Sequence, residues 1–361
     1  MPAKFSRARI SDIAKKAEVS SGTVDRVLHN RGEVAAKTRD RILKIIEELN
    51  YTPDILASTL ASKKTYRFAS LIPEAIDSSQ FWAIPAAGFE KALEQVRHYG
   101  VEHDPYVFKY FDRESFKNMA TELINSKPDG LILAPIFAEL AENLANQCQE
   151  SRIPLVFINA NISGPEKLSF VGQDSFRSGM VAARLLDYRA PADSRYLVIN
   201  FMSEKSTNLH LRNREDGFRS YFSQHSLDKK ILHTLNIIGG DYSNISEILG
   251  KELMTKTTEA GVDGIFVTNS RVFLVADYLE RNGIKDIRLI GYDLLEANIS
   301  HLQNNIIDFL ISQKPFVQGY LSFMTLFDHL VLKKDIPKHQ YLPIDIITRE
   351  NIDYYMNNLL Q

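Results

Sequence analysis

"ISDIAKKAEVSSGTVDRVLHN", residues 10–30, carries two short apolar stripes on either side of a brief turn. Ile10, Ile13, Ala14 and Ala17 recur at i, i+3, i+4 and i+7, one face of a short helix. After the turn Glu18-Val19-Ser20, a second stripe runs through Val24, Val27 and Leu28. A third stripe, Ile42, Ile45, Ile46 and Leu49, lies in "KTRDRILKIIEELNY". Ser11 and Ser20 stand where caps of the first two helices are expected. Two short helices across a tight turn, closed by a third, form a helix-turn-helix arrangement. With Val24, Val27 and Leu28 turned inward, Ser21, Gly22, Asp25, Arg26 and His29 face outward. The start of the second helix is where such motifs present side chains to base edges.

The charge distribution agrees with that reading. The 361-residue chain has a net charge of −2, yet residues 1–64 hold 13 Lys and Arg against eight Asp and Glu. A head of +5 therefore sits on a body of −7, which suits a polyanionic partner for the head alone. Hydrophobic residues make up 44%, enough for sizeable cores, and the length suits two or three domains. No apolar run reaches the roughly 20 residues of a membrane span. "MPAKFSRARISD" lacks the apolar stretch of a secretory signal, so a cytoplasmic, nucleoid-associated protein is expected. The single cysteine, Cys148, cannot form an internal disulfide, and no Cys/His spacing suggests a metal site.

Residues 8 to about 64 resemble the DNA-binding head of the lactose-repressor/galactose-repressor family. The strings that carry the resemblance are "ISDIAKKAEVSSGTVDRVLHN", "AAKTRDRILKIIEELNYTP" and "ILASTLASKK". The resemblance implies that Ser21, Gly22 and Arg26 enter the major groove, where Arg26 can bond a guanine edge bidentately. Ser20 and Thr23, with Lys37 and Arg39 nearby, are expected on phosphates. Three residues depart from the family pattern. Asp25 replaces a usual serine, Gly22 offers no side chain to a base, and Ala35 replaces the hydroxyl cap of the third helix. Downstream, "PDILASTLASKK" has too few apolar groups for a free-standing helix, with Ala57, Leu60 and Ala61 on one face. In the family this is a hinge helix that folds on DNA, and a leucine matching Leu60 wedges into the minor groove. Ser58 stands where many relatives carry arginine.

From about residue 66 apolar strands alternate with amphipathic helices, the pattern of an α/β domain with parallel sheets. The strand-like runs are "YRFASLI", "DGLILAP", "PLVFIN", "YLVINF", "DGIFVTN", "IRLIGYD", "IDFLISQ" and "YLPIDII". Ligands bind such sheets outside the carboxyl ends of the strands. The residues found there are Phe81, Trp82, Asn159, Asn269, Asp293 and Gln313, with Arg214 expected to open the helix "REDGFRSYF". A carboxylate, amides, a guanidinium and flat aromatics together suit a sugar-like ligand. Residues 66–361 resemble the ribose-type periplasmic sugar-binding proteins, whose fold the repressors share as an effector domain. That resemblance implies two lobes around a ligand, Arg214, Asn269, Asp293 and Gln313 as ligand-binding residues, and stacking aromatics at Phe81 and Trp82. Asn159-Ala160 replaces the Asp-Arg pair of ribose-type sites, and Ala134 replaces a usual asparagine.

The expected domains are a helix-turn-helix head over residues 1–53, a hinge over 54–65 and a ligand-binding and dimerisation domain over 66–361. Within the last, lobe 1 is expected at about 66–168 and 300–328, and lobe 2 at about 169–299 and 329–361. No G-x-S-x-G, P-loop or G-x-G-x-x-G occurs, so neither catalysis nor a cofactor is expected. The reading is a transcription regulator, in the usual family scheme a repressor. It would act as a homodimer on pseudo-palindromic operator DNA under control of a small sugar-like effector. Two alternatives stay open: an exported-type solute-binding protein, or a DNA-binding protein whose cage no longer binds ligand.

Overall fold

The structure, a computed structural model, describes residues 10–28, 32–49, 51, 64–75, 81–110, 112–202, 209–225, 227, 229–238, 242–257 and 261–358. Contacts divide the chain into two units, Met1–Lys64 and Thr65–Gln361. In the first, helices α1 (Ile10–Lys16), α2 (Ser21–Leu28) and α3 (Ala36–Glu48) enclose Ile13, Ala14, Ala17, Val24, Val27, Ile42 and Ile45. Ser20 caps α2: its Oγ accepts the Thr23 N–H at 3.2 Å. Ser11 does not act as the expected cap of α1, because the helix already includes Ile10 and Ser11 lies inside its first turn. Ala35 precedes α3 with no side-chain bond to its free N–H groups.

The second unit is α/β with two six-stranded sheets. The first sheet holds β1 (Tyr66–Pro73), β2 (Val101–Phe108), β3 (Gly130–Leu133), β4 (Leu155–Ile158), β5 (Ser169–Gln173) and β11 (His339–Leu342), in the order β11-β5-β4-β3-β1-β2. The second holds β6 (Arg195–Met202), β7 (Ile231–Ile238), β8 (Gly264–Val267), β9 (Arg288–Tyr292), β10 (Phe309–Ser312) and β12 (Asp345–Ile347), in the order β12-β10-β9-β8-β6-β7. All pairings are parallel except β10 with β12. The central strands "GLIL", "LVFI" and "GIFV" are buried at every position, as strands covered on both faces require.

Helices α4 (Ala83–Val96), α5 (Arg113–Asn125), α6 (Ala138–Glu150) and α12 (Pro315–Leu330) belong with the first sheet. The second is covered by α7 (Ser175–Asp187), α8 (Leu209–Gln224), α9 (Tyr242–Thr257), α10 (Val272–Arg281) and α11 (Glu296–Gln303), and by the closing helix α13 (Ile352–Asn358). In each lobe one pair of helices crosses at backbone distance through glycines. A Cβ on Gly179 of α7 would lie 1.9 Å from the Arg214 carbonyl oxygen, and one on Gly217 of α8 1.9 Å from that of Phe176. Gly319 of α12 faces the Pro85 carbonyl of α4 in the same way, at 2.0 Å.

The strands divide between the lobes differently from the expected ranges. β5 and β11 join the first sheet, whereas α11 and β10 join the second. The run "YLPIDII" is not one strand, because it passes from β11 to β12 and so from sheet to sheet around Pro343. Three segments thus connect the lobes: after β5, after β10 and between β11 and β12. One side chain links all three. Gln173, buried at the end of β5, donates from Nε2 to the carbonyls of Ser312 at 3.1 Å and Pro343 at 3.3 Å.

Candidate functional site

On the first unit, α2 turns Val24 and Val27 inward and leaves Ser21, Gly22 and Arg26 exposed, with Thr23 and Asp25 half-buried. Ser20, Lys37 and Arg39 are exposed as well. Ser20 Oγ and Thr23 Oγ1 are 2.9 Å apart, so the two hydroxyls are held together at the start of α2. A Cβ on Gly22 would meet nothing nearer than Ser20 Oγ at 3.8 Å, so no clash with the fold demands glycine there. The expected contacts His29, Ala57 and Leu60 lie outside the described residues.

On the second unit, a cavity of about 540 Å³ opens at the carboxyl ends of the strands. Glu74 (after β1), Phe81, Trp82, Tyr110 (after β2), Ile136 and Asn159 (after β4) line it from the first lobe. Phe201, His210, Arg214, Asn269, Ser270 and Arg271 line it from the second, and Gln313 from the segment after β10. Six of the seven residues expected at the ligand, Phe81, Trp82, Asn159, Arg214, Asn269 and Gln313, therefore share one cavity. Asp293 stands apart from its lining and is completely buried. A second cavity of about 510 Å³ beside α12 and α13 has one charged lining residue, Lys314, already paired with Asp345 at 2.9 Å. The first cavity, with its convergent polar groups, is the better candidate.

A buried network sets the chemistry of the cavity floor. Arg214, 1% exposed, donates from Nη1 to the Thr268 carbonyl at 2.6 Å and from Nη2 to Gln313 Oε1. Its guanidinium lies over the Tyr292 ring, 3.7 Å from the centroid, while Nε has no partner. Gln313 Oε1 also accepts from Asn159 Nδ2 at 3.1 Å. Gln313 returns its Nε2 to Asp293 Oδ2 at 2.6 Å and its backbone N–H to Oδ1 at 3.2 Å. Asp293 thus positions Gln313 and does not cap α11, whose N-cap Leu295 makes no side-chain bond. Asn159 and Asp293 take corresponding left-handed conformations after β4 and β9, with φ of 70° and 66°. Asn269 is engaged locally: Oδ1 accepts the Arg271 N–H at 3.1 Å and Nδ2 donates to the Phe201 carbonyl at 3.2 Å. Arg214 does not open its helix as expected, because α8 begins at Leu209 and delivers it from mid-helix.

Glu74, Tyr110, His210 and Arg271 were not singled out in the sequence. Three of them follow strands closely, the one signal that could have found them; His210 sits early in α8, one turn before Arg214. Burial, reinforced by the Arg214 charge, pushes the His210 imidazole down to about 3, so it is neutral at pH 7. Burial raises the Tyr110 phenol, with Arg271 and Arg214 pulling the other way. Burial likewise pushes Asp293 up to about 6, against the lowering effects of Arg214 and the Gln313 hydrogen bonds.

These two shifts act oppositely on stability. Asp293 holds a proton in the fold that the unfolded chain loses above its ordinary 3.8, so its stabilisation fades as pH rises through about 6. His210 stays neutral in the fold while the unfolded chain protonates below 6.5, so stability is lost as pH falls from 6.5 towards about 3. Relative to wild type, His210→Gln should therefore gain stability between pH 7 and 4, and Asp293→Asn should lose it. Each change should be on the order of 3 kcal/mol. Urea unfolding of the three proteins at pH 4, 5.5 and 7 measures it; two flat differences would refute the assignment.

A two-lobed α/β cage with a polar interlobe cavity, in a chain that also carries a helix-turn-helix unit, defines a class of ligand-binding regulatory proteins. Residues 68–334 match the periplasmic binding protein domain family, and residues 9–54 match the lacI family of bacterial regulatory proteins. The chain belongs to the lacI family. It is similar to a crystal structure from Bacteroides fragilis described as a candidate LacI transcriptional regulator. The two share 31% identity at a TM-score of 0.76, over 81% of this chain and 100% of that one. It is 27% identical to the HTH-type transcriptional regulator IdnR of Escherichia coli, over 80% of this chain and 83% of the relative. It is 25% identical to the catabolite control protein A of Staphylococcus epidermidis, over 64% of this chain and 66% of the relative's length. The match to the Staphylococcus xylosus protein spans 44% of that relative. Among the described residues no helix is long and apolar enough to cross a membrane.

Proposed function

We propose that the chain is a ligand-responsive, DNA-binding transcription regulator, with its first unit on operator DNA and its second around a small effector. The observation that carries this reading is the joining, in one chain, of an exposed α2 surface to an interlobe cavity with a prearranged polar floor. An exported solute-binding protein has no use for the basic head, and a chain that only binds DNA has no use for an arranged floor. The protein acts in the cytoplasm, on the nucleoid, as a homodimer whose two heads meet a pseudo-palindromic site. Ser21, Gly22 and Arg26 lie at the bases, with Asp25 orienting Arg26 or accepting from a cytosine. Ser20, Thr23, Lys37 and Arg39 lie on the phosphates, and His29, Ala57 and Leu60, outside the described residues, are assigned to the DNA contact as well. The effector sits among Phe81, Trp82, Asn159, Arg214, Asn269 and Gln313, with Asp293 behind them. No catalytic step and no cofactor is assigned.

Ligand changes the angle between the lobes, and a marginal hinge turns that change into a difference in operator affinity. Coupling of this kind is typically about 5- to 150-fold. Selection of genomic fragments by the purified protein, followed by titration with candidate effectors, tests the reading. Equal binding to genomic and scrambled duplex, with and without effectors, would refute it. A finer outcome concerns Arg26. Its replacement by Ala should cost about 1–3 kcal/mol of preference at one operator position. Binding to random duplex should fall much less, as a competition assay with single-position variants would show. Equal losses on both would make it a phosphate contact.

A further inference from the structure

We infer that the second unit binds a divalent transition-metal ion of the zinc class between α10 and α11, with His301 and Glu280 as its ligands and Asp277 behind the histidine. None of the three lines the interlobe cavity, so the site does not depend on the effector reading.

Among the described residues, Asp277, Glu280 and His301 form a group in which one donor atom of each lies within 4.8 Å of the others. Asp277 and Glu280 share one face of α10 at i, i+3, whereas His301 comes from α11, 24 positions beyond Asp277. No local spacing joins them in the sequence; packing does. Leu279 of α10 and Leu302 of α11 are buried in one core. Asn298, one turn before His301, ties α11 to the start of α10. Its Oδ1 accepts the Phe273 N–H at 3.0 Å and its Nδ2 donates to the Ser270 carbonyl at 2.9 Å.

The histidine itself points to a ligand. Its side chain is 9% exposed, with Nε2 2.9 Å from Asp277 Oδ1 and Nδ1 3.6 Å from Glu280 Oε2. A carboxylate only accepts, so Nε2–H donates to Asp277 and the lone pair of the neutral ring falls on Nδ1. Nδ1 is buried and has no hydrogen-bond partner. Hydrogen bonding therefore accounts for Nε2 and leaves Nδ1 unexplained. Glu280 at 3.6 Å is too far for a hydrogen bond. Two donors about 2.0–2.2 Å from a tetrahedral ion stand about 3.4 Å apart, so the gap to Glu280 matches a coordination edge. A carboxylate that takes the other ring N–H is the usual support of a metal-bound histidine, because it fixes the ring and raises its basicity. Glu280 is half-exposed, which gives an ion a path in and lets water complete its coordination. An imidazole joined to carboxylate oxygen favours Zn²⁺ and its neighbours over Mg²⁺ or Ca²⁺, which prefer oxygen alone.

Full-length protein stripped with a chelator would be titrated with Zn²⁺ by calorimetry and with Co²⁺ by visible absorption, then melted with and without Zn²⁺. One ion per chain is expected, and the melting temperature should rise by about 5 °C at about a hundredfold excess over the dissociation constant. Mg²⁺ at the same concentration should do neither. Glu280→Gln, a change on the open side of α10, should weaken Zn²⁺ binding about 100-fold and leave the metal-free melting temperature as it was. Asp277→Asn still accepts from Nε2 but loses its charge, and should weaken binding about tenfold. Trp82, the only tryptophan in the chain, lines the interlobe cavity, so its fluorescence distinguishes an ion bound there from one between α10 and α11. Unchanged Zn²⁺ affinity in Glu280→Gln would overturn the inference, as would protection by Mg²⁺ equal to that by Zn²⁺. A Trp82 response to Zn²⁺ that persists in Glu280→Gln would place the ion in the cavity and overturn it too. Each of these results leaves the selection of genomic sites and the effector reading untouched.

Discussion

Replacing Arg214 by Met should abolish effector binding and destabilise the second unit by about 3–5 kcal/mol. Arg214 is almost wholly buried, and its charge partly offsets the cost of burying Asp293. Without it Asp293 remains in the interior, held only by Gln313, whose Oε1 loses one of its two donors. The Thr268 carbonyl loses a partner too, and the Tyr292 ring loses the group stacked on it. Removing one member of a buried charged network costs more than the network contributes, because the desolvated remainder stays behind. The melting temperature should fall on the order of 10 °C. The double variant Arg214→Met/Asp293→Asn should recover a substantial part of that loss, because no uncompensated carboxylate then remains. Calorimetry on the single and double variants measures the coupling. Additive losses would mean that Arg214 and Asp293 act independently, contrary to this account.

How much of this was legible in the sequence depended on whether a local period carried it. The three helices of the head follow from spacing, since Ile13, Ala17, Val24, Val27, Ile42 and Ile45 each lie on the stripe that packs. Central strands such as "LVFI" read as continuous apolar runs because both of their faces are covered. The edge strands did not. β2, "VEHDPYVF", contains a proline and two acids and is buried only at its two ends, with half-buried and exposed positions between them, which is tolerable only at a sheet edge. β5 and β7 were missed as well, and the division into lobes was misplaced. Which sheet receives β10, β11 or β12 is decided by a return path across three segments, a tertiary matter with no local signature.

At the site, the strand-end rule found Phe81, Trp82, Asn159, Asn269 and Gln313 but could not say which of them face the ligand. Asn269 and Gln313 turn much of their bonding capacity inward, and Asp293 does so completely. His210 became visible only when α8 was folded against the same opening. Gln173 is the clearest case of function hidden from sequence. From the end of β5 its side chain ties together the segments that connect the two lobes. Asp174 beside it caps α7, accepting the Arg177 N–H at 2.9 Å.

Gly179→Ala should be nearly as damaging as the loss of Arg214, although the change is one uncharged methyl group. The added Cβ would sit 1.9 Å from the Arg214 carbonyl oxygen and 2.8 Å from its carbonyl carbon. Both are backbone atoms of a helix interior, so no rotamer change relieves the contact. Either α7 and α8 separate, opening the buried face that holds Ala182, Ala183, Phe218 and Phe222, or α8 shifts along its length. The first route loses packing and the second moves Arg214 off Gln313. Overpacking of this kind typically costs about 1–3 kcal/mol and more where backbone meets backbone. Gly217→Ala, which meets the Phe176 carbonyl oxygen from the other helix, should cost a similar amount. The two differ in what else they change: Gly179→Ala presses on the backbone that carries Arg214, so it should weaken effector binding beyond what its stability loss explains. Gly261→Ala, whose Cβ would meet nothing within 4 Å, serves as the neutral reference, within about 0.5 kcal/mol of wild type. Urea unfolding and Trp82 titrations at a temperature where all variants are folded separate the two effects. Equal effector affinity for Gly179→Ala and Gly217→Ala would show that the crossing supports the fold alone and does not hold the arginine in place.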